Sequence, residues 1–141
     1  MEPIVRQRVR TFWDKGEERL KAARLLYQQG FYEEAVSVAY YATLWAARAL
    51  LLTEGAEPRT HEGVRTMLGL YFIRTGRLPQ EVGRLFTRRL DDRMSADYSD
   101  AGFLSSEDAE EAIAQAERFL EALRPLVENY LQEGDSGTIS P

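Results

Sequence analysis

FYEEAVSVAYYATLWAARALLL, residues Phe31 to Leu52, decides the fold class. Ala35, Ala39, Ala42, Ala46 and Ala49 recur at alternating spacings of four and three, which lines them along one seam of an α-helix. Side chains this small let a neighbouring backbone come close. A second seam, Tyr40, Leu44, Ala47 and Leu51, lies beside the first, and Val36, Val38, Tyr41 and Trp45 fill most of the remaining circumference. A helix that is apolar nearly all round must be surrounded. Glu33, Glu34, Ser37, Thr43 and Arg48 interrupt it too often for a membrane span, so the expected surroundings are other helices or a second subunit. Two seams ask for more cover than four short helices offer, which points to a dimer.

Outward from this segment the chain stays helical. Before it, Val9, Phe12, Leu20, Ala23 and Leu26 recur near the helical period from Pro3 until Gly30, with Gly16 in the middle predicting a kink or a close helix contact. After it, Gly55 and Pro58 break the pattern, and Thr60 is a good N-cap for a helix from about His61 to Thr75, closed by Gly76. Pro79 opens a fourth helix with Val82, Leu85, Phe86 and Leu90 inward and Arg84, Arg88 and Arg89 facing outward or towards a partner. Ser105 or Ser106 caps a fifth, running to about Leu131, which Pro125 should kink. No segment alternates with period two for long enough to argue a sheet. The expectation is an all-α, up-and-down bundle of about five helices, a single domain over residues 1–132 followed by a disordered tail over 133–141.

With 141 residues the chain is long enough to bury roughly two-thirds of its unfolded surface without staples. It has no Cys, which excludes disulfides, thiolate nucleophiles and Cys-ligated zinc. The opening MEPIVRQRVRTFWDKGEERL has no apolar run of signal or membrane length, so a cytoplasmic protein is expected. The net charge of -5 is polarised along the chain. Residues 57–93 carry 8 Arg against 5 acids, whereas residues 94–141 carry 2 Arg against 11 acids. Only Lys15 and Lys21 are Lys, and Arg is the side chain that grips phosphate or carboxylate in a two-pronged fork.

His61 is the single histidine, so a His-based metal cage or a pair of imidazoles exchanging protons would have to borrow from another subunit. It reads either as an anchor for the loop after Pro58 or as a general acid or base beside Arg59. Mononucleotide-loop, dinucleotide-loop, zinc-protease and nucleophile-elbow motifs are all missing from the sequence, and no cofactor or metal is expected. The stretch RRLDDRMSADYSD differs from the rest. Arg89, Arg93 and Asp97 follow one another at intervals of four, so a continuing helix would place two guanidinium groups and a carboxylate on one face, with the Tyr98 hydroxyl beside them. Such a cluster either binds a phosphate, with Asp97 orienting Arg93, or forms an ordinary intrahelical ion pair.

Several of these segments together resemble the HEPN-domain proteins of bacteria and archaea. They are Gly30-Phe31-Tyr32-Glu33-Glu34-Ala35, Ala39-Tyr40-Tyr41-Ala42, Ala46-Ala47-Arg48-Ala49-Leu50, Thr60-His61-Glu62-Gly63-Val64, the run from Phe72 to Pro79, and Arg93 with Ala96-Asp97-Tyr98. The resemblance covers about residues 10–130 and implies a five-helix, often dimeric bundle. Many such proteins are metal-independent ribonucleases, toxins paired with a small nucleotidyltransferase antitoxin, whose site is an Arg followed after four to six residues by a His. Counted from Arg93, those positions hold Tyr98, Ser99 and Asp100, so the acid/base of the nuclease is missing. Arg93 carries over as a phosphate-contacting residue and catalysis does not.

Three functions follow as expectations. The first is a nucleotide- or RNA-associated accessory protein, a homodimer partnered by a minimal nucleotidyltransferase. Arg93, Asp97, Tyr98 and Arg89 would line its groove, and Tyr41 and Arg48 would emerge towards it from the central helix. The second is a ribonuclease in which His61 replaces the missing motif histidine alongside Arg93. The third is an adaptor in which the acidic fifth helix of one molecule meets the Arg-rich fourth helix of another.

Overall fold

The computed structural model describes residues 3–87 and 104–139, with 134–139 as backbone. The helices are α1 (Pro3–Gln28), α2 (Tyr32–Leu52), α3 (His61–Leu68), α4, which starts at residue 80 and is described as far as 87, and α5 (Ser106–Ile139). No strand occurs among the described residues.

The turn between α1 and α2 is set by Gly30. At φ 86° it occupies the left-handed region that other residues avoid, and around it the Gly30 N–H donates to Tyr27 O (3.0 Å) and the Phe31 N–H to Leu26 O (2.9 Å). So short a connection brings α2 back antiparallel along α1. Gly16 therefore faces Ala42 and Ala46, Phe12 meets Trp45, and Arg8 reaches Glu57, each pair one step further from the turn. α5 is antiparallel to α1 in its turn: Arg24 pairs with Glu117, and Arg124 with Glu17 (3.0 Å). The two long helices α1 and α5 enclose α2.

Gly16 gives the expected close contact its measure. A Cβ placed there would lie 3.1 Å from Ala42 O and 3.2 Å from Ala46 N, so the backbones of α1 and α2 touch where a side chain would stand. The small seam of α2 is the counterpart: Ala35, Ala39, Ala42, Ala46 and Ala49 are all fully buried. By length and composition α2 could cross a membrane, but 72% of its most apolar window is buried inside the bundle. Within one chain α1 and α5, running 26 and 34 residues, supply most of that cover, and Val38, Tyr41, Trp45 and Arg48 stay half-buried.

α4 is docked through one ring. Phe86, fully buried, stacks on Phe119 of α5 (5.6 Å between centroids) and lies 6.1 Å from Tyr40 of α2. Val82 and Leu85 are buried beside it and Arg84 is exposed, as the pattern predicts; Leu90, Arg88 and Arg89 lie outside the described residues. Two boundaries differ from expectation. The α-helical ladder of α3 stops at Leu68 and widens into a π-helical turn over Gly69–Ile73, which leaves Phe72 buried and Leu70 and Tyr71 outside, before Gly76 at φ 80° ends it. At the other end, the segment 133–141 was expected as a tail, yet α5 stays helical through Pro125 and on to Ile139. The apolar stripe stops at Leu131, so the sequence signal ends there, but an established helix propagates past it. Its start is firm: Ser105 Oγ accepts from the Asp108 N–H and Asp108 Oδ2 from the Ser105 N–H, both at 3.1 Å, a reciprocal capping box.

The loop after α2 is tied back to α1 by Arg8, whose guanidinium donates to both oxygens of Glu57. That hydrogen bond, with the positive charge behind it, holds the Glu57 carboxyl below the usual carboxylate range. A carboxyl with a lowered folded-state pKa contributes stability above the ordinary range and loses it as the pH falls. The thermal stability difference between the wild type and Glu57→Gln is therefore expected at neutral pH, small because both partners are largely solvated, and shrinking as the pH is taken below about 4 or the salt is raised. At the helix contact, Gly16→Ala is expected to lower the melting temperature although helix propensity alone would favour it by about 1 kcal/mol, because both atoms in the way are backbone. Gly16→Val costs on the order of 1–3 kcal/mol in denaturant unfolding.

Candidate functional site

His61 owes its position to the cap beneath it. Thr60 Oγ1 accepts from the Gly63 N–H at 2.9 Å, and a Cβ at Gly63 would lie 3.0 Å from both Thr60 Oγ1 and Pro58 Cβ, so the first turn of α3 is locked against the loop. The half-buried imidazole then packs against two rings of α2, 5.5 Å from Tyr40 and 6.5 Å from Tyr41 between centroids. Through Tyr40 it joins the line of rings that continues to Phe86 and Phe119. Of the predicted site residues the structure thus brings His61 and Tyr41 together.

Arg48 stands seven residues after Tyr41, on the same face of α2 two turns further along. It is half-buried, with its guanidinium 5.8 Å from the centre of the Trp45 ring, and its Nε is buried with no hydrogen-bond partner. Lys15 of α1 places its ammonium 4.5 Å from the same ring, and Phe12 meets that ring edge-on at 5.1 Å. Arg89, Arg93, Asp97 and Tyr98 lie outside the described residues, as does any groove they would form with Tyr41 and Arg48.

A cleft of about 560 Å³ that the sequence reading did not single out opens between α3 with its π-helical turn and α4. Leu68 and Ile73 make its apolar floor, and Arg65, Gln80, Arg84 and Thr87 its polar rim. Arg65 is held by Glu62 at 2.5 Å, whereas Arg84 is exposed and makes no ion pair with any described residue. Thr87 is the last described residue before Arg88, Arg89 and Arg93 in the sequence, so this cleft lies at the threshold of the Arg-rich stretch. The excess of Arg over residues 57–93 was the available signal; that α3 and α4 pair side by side was not in it. The one acid of α5 that forms an ion pair across helices among the described residues, Glu117, reaches Arg24 of α1, and none reaches α4.

The HEPN domain family matches residues 9–126 of this chain. A protein of Methanocaldococcus jannaschii named "Putative toxin MJ0605" is 35% identical over 127 residues, 90% of this chain and 94% of its own length. A second protein from the same organism, "Putative toxin MJ0142", is 32% identical over 87% of this chain and 84% of its own. A UPF0332 protein of Thermotoga maritima is 30% identical over 88% and 95%. Among solved structures, the crystal structure of ST0689, an archaeal HEPN homologue, superposes with a TM-score of 0.70 at 22% identity, covering 84% of this chain and 97% of that one, a likeness of fold. The order of segments noted in the sequence, the all-helical bundle and the match over most of the chain agree, and this chain belongs to the HEPN family.

Proposed function

We propose that this chain is the toxin-like member of a toxin–antitoxin-like pair, and that it binds RNA or nucleotide phosphates without cleaving them. The observation that carries the reading is the identity of 35% over nine-tenths of the chain with a relative named as a toxin candidate, joined by a second so named. The partner is a minimal nucleotidyltransferase, as the family resemblance implies, and the chain acts as a homodimer. Arg93, supported by Asp97 and Tyr98, contacts phosphate, with Arg89 beside it and Arg84 and Arg65 extending the basic surface along the cleft between α3 and α4. Arg suits this task because its fork matches phosphate oxygens two at a time.

The absence of cleavage rests on chemistry at identified positions. Positions 98–100 hold Tyr98, Ser99 and Asp100 where the nuclease motif needs a group that exchanges protons near neutrality, and the single imidazole, His61, is packed on Tyr40 and Tyr41. The full-length protein is expected to bind a fluorescently labelled single-stranded RNA at low salt and leave it intact on a gel. Arg93→Ala should weaken binding and lower the slope of log affinity against log salt by about 0.7, the loss of one phosphate contact. Failure to bind any RNA or nucleotide at low salt would sink this reading. RNA cleavage that vanishes in His61→Ala would establish the ribonuclease reading in its place.

A further inference from the structure

We infer that one side of α2 is the surface on which a second copy of this chain docks, with the two α2 helices antiparallel across a two-fold axis at Tyr41. The inference rests on the homodimer proposed above and names its interface. Between residues 34 and 48, the side chains of α2 that are not buried are Glu34, Ser37, Val38, Tyr41, Trp45 and Arg48. At about 100° per residue, all six fall within an arc of about 100° on the helix surface. The Ala seam is turned to α1 and Tyr40 to the rings of His61 and Phe86, so the open arc is the side that the described helices leave uncovered.

The order of residues along this arc identifies the occupant. Its middle is apolar and aromatic, Val38, Tyr41 and Trp45, and aromatic side chains and Arg are the groups that protein–protein contacts concentrate at their centres. Its ends are charged with opposite sign. Glu34 and Arg48 each stand seven residues from Tyr41, roughly 10 Å along the helix axis on either side. A second α2 turned end for end about Tyr41 therefore sets Glu34 of each copy against Arg48 of the other, and Val38 of each beside Trp45 of the other. Both ends carry further charge of the same sign. Glu33 adjoins Glu34, whereas the Lys15 ammonium lies 4.5 Å from the centre of the Trp45 ring. A cleft of about 500 Å³ opens at the Trp45 end with Arg48 and Arg59 on its lining, and the acid there, Glu57, has both oxygens engaged by Arg8. Glu34 is exposed and forms no ion pair with a described residue. A parallel pairing would oppose acid to acid and base to base, so the charges select the antiparallel arrangement. The contact is then isologous and closes at two copies.

The test joins sedimentation velocity to thiol cross-linking of the full chain, which is clean because the natural sequence has no Cys. Under mild oxidation Tyr41→Cys, on the axis, is expected to form a disulfide with its own copy. Glu34→Cys should stay single, since its copy lies four turns away, and should cross-link when mixed with Arg48→Cys. Glu128→Cys on the exposed side of α5 should not cross-link in any mixture. The mixed pair keeps the question decidable if Tyr41→Cys, which loses its ring contacts, does not fold. In sedimentation the wild type is expected at twice the chain mass. The exposed Glu34→Arg should raise the dimer dissociation constant about 10-fold or more, because both reciprocal contacts become like-charged, and Glu128→Arg should leave it unchanged. A dimer that persists while neither Tyr41→Cys nor the mixed pair cross-links, or that Glu34→Arg and Glu128→Arg weaken equally, would overturn this interface and leave the homodimer standing. A wild type that sediments as a monomer at every concentration would remove the homodimer itself.

Discussion

The contact of Gly16 with the backbone at Ala42 and Ala46 is the constraint on which the remaining packing depends. Two helices that touch backbone to backbone cannot slide or roll without a clash, so the contact fixes both the register and the rotation of α1 on α2. Rotation decides which residues of an almost uniformly apolar helix are left outside. With the Ala seam turned to α1, the face carrying Tyr41, Trp45 and Arg48 remains half-buried and available. A helix with so little amphipathic contrast of its own takes its orientation from a steric fit and not from a hydrophobic stripe.

A second level of order runs through aromatic rings. His61, Tyr40, Phe86 and Phe119 form one line through α3, α2, α4 and α5, with centroids about 5 to 6 Å apart. Edge and offset contacts of this kind add a preference for angle to the burial of area. The consequence is that the described part of α4 is tied to α2 and α5 at Phe86. The ion pairs contribute less. Arg24 with Glu117 and Arg124 with Glu17 are exposed, and pairs of that sort are worth at most about 1 kcal/mol each; their value here is in marking α5 as antiparallel to α1.

The two basic clefts differ in how they are made. The one between α3 and α4 has an apolar floor with arginines on its rim, Arg65 held by Glu62 and Arg84 exposed. The one beside Trp45 holds Arg48 and Lys15 against a ring, with Glu57 on its lining.

Much was legible in the sequence because it was local. The period of the Ala seam, Thr60 and Ser105 as caps, Gly30 and Gly76 as stops and Gly16 as a close contact are each decided by residues within a turn or two of one another, where dihedral preference and helical period suffice. Where the local signal lapsed, the reading erred: the apolar stripe ended at Leu131 and the helix did not, and a continuous pattern hid the switch to a π-helical turn at Gly69. Among the site residues, His61 and Tyr41 were named and were brought together, while Arg65 and Arg84 were passed over because their sharing of one cleft depends on α3 lying beside α4. The sequence by itself determined the helices, their starts, and which one must be enclosed, since those follow from side-chain period and backbone sterics. Only the tertiary structure decided which face of that helix stays half-buried, and that Arg48 has its Nε buried without a partner. Both depend on which surfaces meet across separations of tens of residues, and no short-range preference encodes that.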